Sequence, residues 1–304
     1  MKIAHFSDLH LYSAAGVPFR RFLNKRITGW ANLRLRRSMA HRQAYVVAIA
    51  REIARLGVDH VVVTGDLTNL SLEPEYELAR DLLQRELGVE PERVTVIPGN
   101  HDIYTQGALT SRRFESYMAP WLRSDLPDLA ANANGGHFPS VKLRDCAAVI
   151  ALSSAVPRLP LASAGELGRE QISALARILE HPEVRRRWVV LAMHHPAINT
   201  WSRMKAYLEG LRDAPALLEL LRPIERGLVL HGHLHRRIQR VVPTQSGCVR
   251  QVGATSASLH DDAPDRMAGF NLYELSETAD ARVHAYVYLP ATGTFQLQSV
   301  PKHV

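Results

Sequence analysis

Only two cysteines, Cys146 and Cys248, occur in 304 residues. Two are too few for a disulfide framework, and a buried, reduced pair is expected. No apolar stretch approaches the ~20 residues that a membrane-crossing helix needs. The sequence opens directly on a core-strand pattern, Lys2–Phe6, so no signal peptide is expected and the cytoplasm is the expected compartment. Internal repeats and low-complexity tracts are also lacking. Acidic residues are missing from one long stretch. None lies between Asp8 and Glu52, where Arg20, Arg21, Lys25, Arg26, Arg34, Arg36, Arg37, Arg42 and Arg51 stand.

The charge is correspondingly positive, +7 with a pI near 9.6, which points to anionic partners. Interleaved with the basic residues are Phe19, Phe22, Leu23, Ile27, Trp30, Leu33 and Leu35. Two readings of this insert, residues 13–42, stay open. It is a helical flap over the site with a solvated basic face, or a surface that meets an anionic membrane at the inner leaflet. No dimerisation or nucleic-acid capture region is recognisable, so no nucleic-acid partner is expected. Oligomeric state has no sequence signal.

Periodicity places β-type runs at Lys2–Phe6, Val58–Val63 and Arg93–Ile97, with helical patterns over Met39–Leu56 (stopped by Gly57) and Pro74–Leu87 between them. This β-α-β-α-β order predicts parallel strands with helical crossovers. A helix is expected over Thr110–Leu122 and loop over Asp125–Pro139. Strands at Ala147–Leu152, Trp188–Met193 and Gly227–Leu230 alternate with helices at Gly168–Glu180 and Ala214–Leu221. From residue 236 the pattern becomes β-rich. Runs at Arg237–Val242, Cys248–Val252, Phe270–Leu275, Arg282–Leu289 and Phe295–Val300 read as antiparallel strands. The expected architecture is a single α/β domain, 1–304, with two packed mixed sheets flanked by helices in four αββα layers.

Five short motifs each follow an apolar strand-like run. They are Asp8-Leu9-His10, Gly65-Asp66, Gly99-Asn100-His101-Asp102, His194-His195-Pro196 and Gly232-His233-Leu234-His235. Asp, Asn and His offer oxygen and imidazole nitrogen, a donor set suited to Mn, Fe, Co, Ni or Zn. Ligand sites in open α/β sheets form beyond the carboxyl ends of the strands, so five such ends predict one shared metal site. A boundary between residues 8 and 235 would split that site.

In this order the motifs resemble the calcineurin-like metallophosphoesterase superfamily, including its class III cyclic nucleotide and glycerophosphodiester-type phosphodiesterases. The resemblance implies two divalent metal ions per chain. Asp8, His10, Asp66 and His235 would hold one ion; Asp66, Asn100, His194 and His233 would hold the other, with Asp66 shared. The chemistry suits those residue types. Two close divalent ions hold a hydroxide and a phosphate oxygen together and bring water towards a neutral pKa. A single shared carboxylate among neutral ligands keeps the site open to phosphate. His101 is the candidate general acid for the leaving alkoxide, and Asp102 the candidate residue that orients it. Strand alternation allows only one of His194 and His195 to ligate directly; the resemblance favours His194, and His195 is expected either to support a ligand from behind or to be structural. His5 and His231 are also expected in the core, and His260 is a remote candidate for the cleft.

Two positions depart from the family pattern. Ser154 stands where relatives often carry Asp, and Ala197 where many carry a second Pro. Both adjoin substrate-side loops, so substrate choice does not transfer. The loops Gly16–Arg37, Thr105–Arg113 and Thr200–Arg212 are expected at the rim, with Arg112, Arg113, Arg203 and Lys205 available to anions. The first expectation is hydrolysis of small organic phosphodiesters, cyclic nucleotides among them. The alternative is a UDP-2,3-diacylglucosamine pyrophosphate hydrolase at the membrane surface, for which the basic, apolar insert is suited. A nuclease and a metal-free interaction scaffold on the same fold rank below both.

Overall fold

In the computed structural model, residues 1–22, 26, 41–131, 137–160 and 162–302 are described. Most of the basic insert, 23–25 and 27–40, lies outside them, so the flap and membrane readings of that segment do too. Strand β1 (Lys2–Phe6) leads towards α1 (Gln43–Leu56), β2 (His60–Val63), α2 (Glu73–Glu86) and β3 (Val94–Val96). The three strands pair in parallel, Ile3 opposite His60 and Val61 opposite Val94. Gly57, with φ 59, ends α1 by returning its N–H to the Ala54 carbonyl, the left-handed C-terminal cap that glycine allows.

The expected helix over Thr110–Leu122 is broken. Helices α3 (Gln106–Thr110) and α4 (Arg113–Met118) are separated by Arg112 in the left-handed region, φ 48. Next come β4 (Ser140–Arg144), β5 (Ala147–Ala151), α5 (Arg169–Glu180), the short α6 (Pro182–Arg185) and β6 (Trp188–Ala192). Helices α7 (Arg203–Glu209) and α8 (Ala214–Leu221) precede β7 (Arg226–His231). The chain ends with β8 (Ile238–Pro243), β9 (Cys248–Gly253), β10 (Gly269–Glu274), β11 (Arg282–Leu289) and β12 (Thr294–Ser299). Strand β4 and helix α7 were not expected, although Val141 and Leu143 alternate with Ser140, Lys142 and Arg144 along β4.

Two mixed six-stranded sheets result, ordered β12-β11-β10-β1-β2-β3 and β4-β5-β6-β7-β9-β8. The carboxyl-terminal strands are not one antiparallel set. β9 runs parallel to β7 and antiparallel to β8, while β10 joins the first sheet antiparallel to β1. The reason is the core: β9 offers buried Val249 and Val252 to the second sheet, and β10 offers Leu272 and Tyr273 to the first.

Period-two alternation explains the layering. Ile3, Val62, Val149, Val190, Leu228, Leu230 and Tyr273 fill the space between the sheets. Their neighbours Phe6, Val61 and Val63 face outward onto Val46, Ile49 and Ile53 of α1 and Tyr76 and Leu83 of α2. On the other side Ile150, Leu191 and Val229 pack under Leu175 and Ile178 of α5 and Leu217 and Leu221 of α8. The cysteines are not a buried pair. Cys146 is half-buried and Cys248, the outward first residue of β9, is exposed; both are free. Among the described residues no helix is long and apolar enough to cross a membrane.

The ends of β2 and β3 touch through glycine. At Gly65, φ +87, an added Cβ would run into the Gly99 and Pro98 backbone. Gly65→Ala is therefore expected to cost at least about 2 kcal/mol, with a lower denaturant midpoint in metal-free protein. An unchanged midpoint would contradict this close approach.

Candidate metal centre

All five motifs sit at the carboxyl ends of β1, β2, β3, β6 and β7, at one edge shared by the two sheets. The turns that follow these strands are tight. Asp8, His10, Asp66, His233 and His235 all have positive φ, between 47° and 66°. Non-glycine residues rarely adopt this region, at about 1–3 kcal/mol each, and do so mainly at functional sites. Backbone bonds lock the turns together: Asp8 N–H donates to the Gly65 carbonyl and His10 N–H to that of Asp66, both at 2.9 Å. A Cβ on Gly99 would strike the Asp66 carboxylate, and one on Gly232 would strike Ser7 Oγ and Asp8 Oδ2. Those glycines let the motif turns approach.

The seven expected ligands form one continuous cluster. Asp8 Oδ1 lies 3.2 Å from His235 Nε2, and His235 Nε2 lies 3.0 Å from His10 Nε2. Asp66 Oδ2 is 3.9 Å from His10 Nε2 and 3.4 Å from His194 Nε2. Asn100 Oδ1 is 3.1 Å from both His194 Nε2 and His233 Nδ1. Asp66 is thus the member common to both halves. Asp8, His10, Asp66 and His194 are buried.

Burial would raise the Asp66 carboxyl, but His194, then His101 and His10, hold it well below the usual carboxylate range. Burial likewise opposes ionisation of Asp8, and His235 brings its pKa down. Burial pulls His194 down, yet Asp66 and then Asp8 raise it to about 9. His10 is lowered well below its ordinary value by burial and by His235. His233 is lowered to about 3 by burial and by His194.

These neutral rings test whether cations fit. His233 Nε2 donates to the Glu209 carbonyl at 3.0 Å, so a ring with one proton turns a bare Nδ1 towards Asn100 Oδ1. Lone pair against lone pair is unfavourable, and a divalent cation relieves that contact. The His10 and His235 Nε2 atoms lie 3.0 Å apart, and His10 Nδ1 is buried without a partner. Two carboxylates, an amide oxygen and four imidazoles fit such ions.

His101 is held beside this cluster. Its N–H donates to Asp66 Oδ1 at 2.7 Å, its Nδ1 donates to the Asn69 carbonyl at 2.7 Å, and its ring stands 5.0 Å from that of His10. The expected role of Asp102 needs correction. Its buried carboxylate accepts from Leu67 N, Thr68 N, Thr68 Oγ1 and Gly99 N, at 2.9–3.1 Å. With four donors it faces the loops and not the imidazole of His101, which Asn69 orients instead. Burial, then Asp66, raises Asp102 to about 7, against those backbone bonds.

His195 bonds Ser154 Oγ at 2.8 Å and the Ser163 carbonyl at 2.7 Å, so both its nitrogens are used away from the cluster. Ser154 thus meets this ring through its hydroxyl. His5 bridges Thr64 and Tyr273, and His231 bonds the Gly232 carbonyl. His260 bonds the Tyr45 hydroxyl, outside the cleft.

The cluster floors a cavity of about 920 Å³ whose walls include Asn69, Tyr104, Trp201, Lys205, Arg236 and Arg240. Of the rim cations expected, Lys205 faces it. Arg113 is turned to Glu73 and the Ser71 carbonyl instead. Sequence reasoning missed His41, Asn69, Arg236 and Arg240. The His41 ring is 5.0 Å from that of His10, and its Nδ1 meets Ser258 Oγ at 2.7 Å. No motif marks His41. Arg236 directly follows the last motif and Arg240 lies within the β-type run Arg237–Val242, which are the signals that could have found them.

Comparison with known proteins agrees with this geometry. The profile of the calcineurin-like phosphoesterase family matches residues 1–237. A dimetal phosphatase from Danio rerio superposes with a TM-score of 0.56 at 15% identity, covering 93% of this chain and 98% of its own. Purple acid phosphatase PPD1 from yellow lupin gives 0.59 at 11% identity, covering 97% of this chain and 52% of the lupin chain. A search of curated protein sequences found no match. The fold is shared with these structures, and the profile match over most of the chain establishes that the protein belongs to the calcineurin-like phosphoesterase family, a family of metallophosphoesterase hydrolases.

Proposed function

We propose that the protein, as one catalytic domain, hydrolyses small phosphodiesters at a centre for two divalent ions. Asp8, His10 and His235 would hold one ion and Asn100, His194 and His233 the other, with Asp66 shared. When bound, the ions supply a hydroxide nucleophile at neutral pH and Lewis-acid stabilisation of the phosphoryl oxygens. The observation that carries the diester reading is the distribution of positive charge. Among the described residues, the floor of the cavity presents imidazoles, carboxylates and an amide. Its lysine and arginines, Lys205, Arg236 and Arg240, line the walls, and none belongs to the cluster. A monoester dianion calls for further cations at the phosphorus; a diester carries one charge fewer.

His101 supports the leaving-group step. Asn69 fixes its ring through Nδ1 beside Asp66, where a departing alkoxide would need a proton. Asp102 acts indirectly, by holding the Asp66–Thr68 and Gly99 turns at their spacing.

A second reading, hydrolysis of a UDP-diacylglucosamine-type pyrophosphate at a membrane surface, is favoured by one feature. Leu159, Met204 and Tyr207 are 81%, 70% and 63% exposed. Met204 and Tyr207 share a face of α7, and Leu159 and Tyr207 line a second cavity with Tyr104, Arg158 and Arg212 beside the first. Apolar knobs among cations suit an anionic bilayer.

With Mn-reconstituted protein, bis-p-nitrophenyl phosphate should give a higher kcat/KM than p-nitrophenyl phosphate. The opposite order would reject the diester reading. Elemental analysis should find about two ions per chain in the wild type and fewer than about one in Asp66→Ala, because the shared carboxylate serves both. Loss of a single ion would contradict the bridge. His101→Ala should retain its metals and lose about 10²–10⁴-fold in kcat on alkyl leaving groups, and less than about tenfold on p-nitrophenolate. Equal losses would reject proton donation. The membrane reading expects sedimentation with phosphatidylglycerol vesicles that weakens with salt and with Met204→Ser/Tyr207→Ser; absence of sedimentation at low salt would remove it.

A further inference from the structure

Arg240 differs from the other cations on the cavity wall. Ile238 and Arg240, two apart on β8, point to the same side of the strand, and both line the cavity above the metal cradle. Arg240 is about nine-tenths buried. Its Nη2 donates a long bond, 3.4 Å, to Thr200 Oγ1, while Nε and Nη1 are buried with no hydrogen-bond partner. Its neighbours are compensated. Lys205 lies 3.8 Å from Glu209 and 4.7 Å above the Trp201 ring, and Arg236 lies 2.5 Å from Asp265.

The surroundings of Arg240 are built. Gln251, its partner in the β8–β9 register, accepts from Ile198 N at 2.8 Å and donates to the Ile198 carbonyl at 2.9 Å. That clamp ties the loop carrying Thr200 and Trp201 to the strands. The Trp201 ring stands 6.3 Å from the ring of His233, so the wall runs continuously from the cradle to Arg240. A buried guanidinium without a counter-charge is costly. The cost is offset when an anion presents two oxygens to its donors.

We propose that Arg240 binds a second anionic group, a phosphate or a carboxylate, carried on the substrate arm that lies along β8 away from the scissile phosphorus. This rests on the reading of the cavity as a phosphodiesterase site and narrows its substrates to diesters with a charged arm. The guanidinium turns so that its end, Nη1 with Nη2, donates to that group as the long Nη2 bond to Thr200 gives way, and the wall between Trp201 and Ile238 holds the linking atoms.

The test is a series of p-nitrophenyl alkyl phosphates, two to eight carbons long, ending in methyl, carboxylate or phosphate, assayed with Mn-loaded protein. At one chain length an anionic end should raise kcat/KM at least about tenfold over methyl, mostly through KM. The larger gain tells phosphate from carboxylate. In Arg240→Gln the ratio should fall to near one, and Arg240→Lys should keep part of it. The melting temperature of Arg240→Gln should match or exceed that of the wild type, since an uncompensated buried charge is removed. No gain at any length, a gain that survives in Arg240→Gln, or a clearly lowered melting temperature would overturn the proposal. If no ester is turned over, the phosphodiesterase reading fails by itself. Calorimetry with alkanediol bisphosphates against alkyl monophosphates then decides on Arg240. Tighter bisphosphate binding that is lost in Arg240→Gln supports it, and equal affinities reject it.

Discussion

The site depends on the buried carboxylate of Asp102. It accepts four hydrogen bonds from the turns after β2 and β3, and its own carbonyl accepts from Ser71 Oγ and Tyr76 Oη. Bonds of this kind, to a charged or partly charged acceptor, are worth about 1.5–3 kcal/mol each. They offset the left-handed backbone at Asp66 and fix the spacing between Asp66 and Asn100. Because Gly65 packs on Gly99 without side chains between them, a small shift in either turn would be transmitted to the other.

The second constraint is the seam between the sheets. The first sheet delivers Asp8, Asp66 and Asn100, and the second delivers His194, His233 and His235. The carboxylates therefore come from one side and most imidazoles from the other. His233 N–H donates to the Asp8 carboxylate at 3.1 Å, and His194 Nδ1 donates to the Thr64 carbonyl at 2.7 Å. Both bonds cross the seam. Cations at this junction would add cross-links to these bonds and to the apolar contact between the sheets, so ion binding and sheet docking are thermodynamically linked.

Much of this was legible in the sequence. Strand-end motifs are legible because a β-strand is short and its apolar run stops where the chain turns; Val61–Val63 before Gly65-Asp66 is an example. The Gly57 stop and the extent of β11 were legible for the same local reasons. What was not legible depends on distant contacts. The break at Arg112 needs a left-handed residue that no sequence period announces. The parallel placement of β9 beside β7 follows from burial of Val249 and Val252, not from the turn before it. Asp102 has the residue type of a histidine-orienting carboxylate, and only the positions of Leu67, Thr68 and Gly99 reveal where its oxygens are used. His41 reaches the cluster through a contact with Ser258, more than 200 residues away in the chain.

Arg240 on β8 lies between these cases. Its place in a β-type run is a local signal, but a Lys or Arg on an edge strand ordinarily means a solvated face that discourages strand pairing. Only the depth of Arg240 separates the two meanings. Val241, the next residue, points the other way and is 54% exposed, whereas Arg240 is 9% exposed. The strand thus turns an apolar side chain to solvent and a charged one inward, the reverse of the pattern that folding alone favours. Inversions of that kind cost stability, and real proteins retain them mainly where a site needs them. The same reasoning applies to the left-handed Asp8, His10, Asp66, His233 and His235. In both places the local backbone or pattern is unfavourable, and the groups so held build the metal cradle or the wall of the cavity above it.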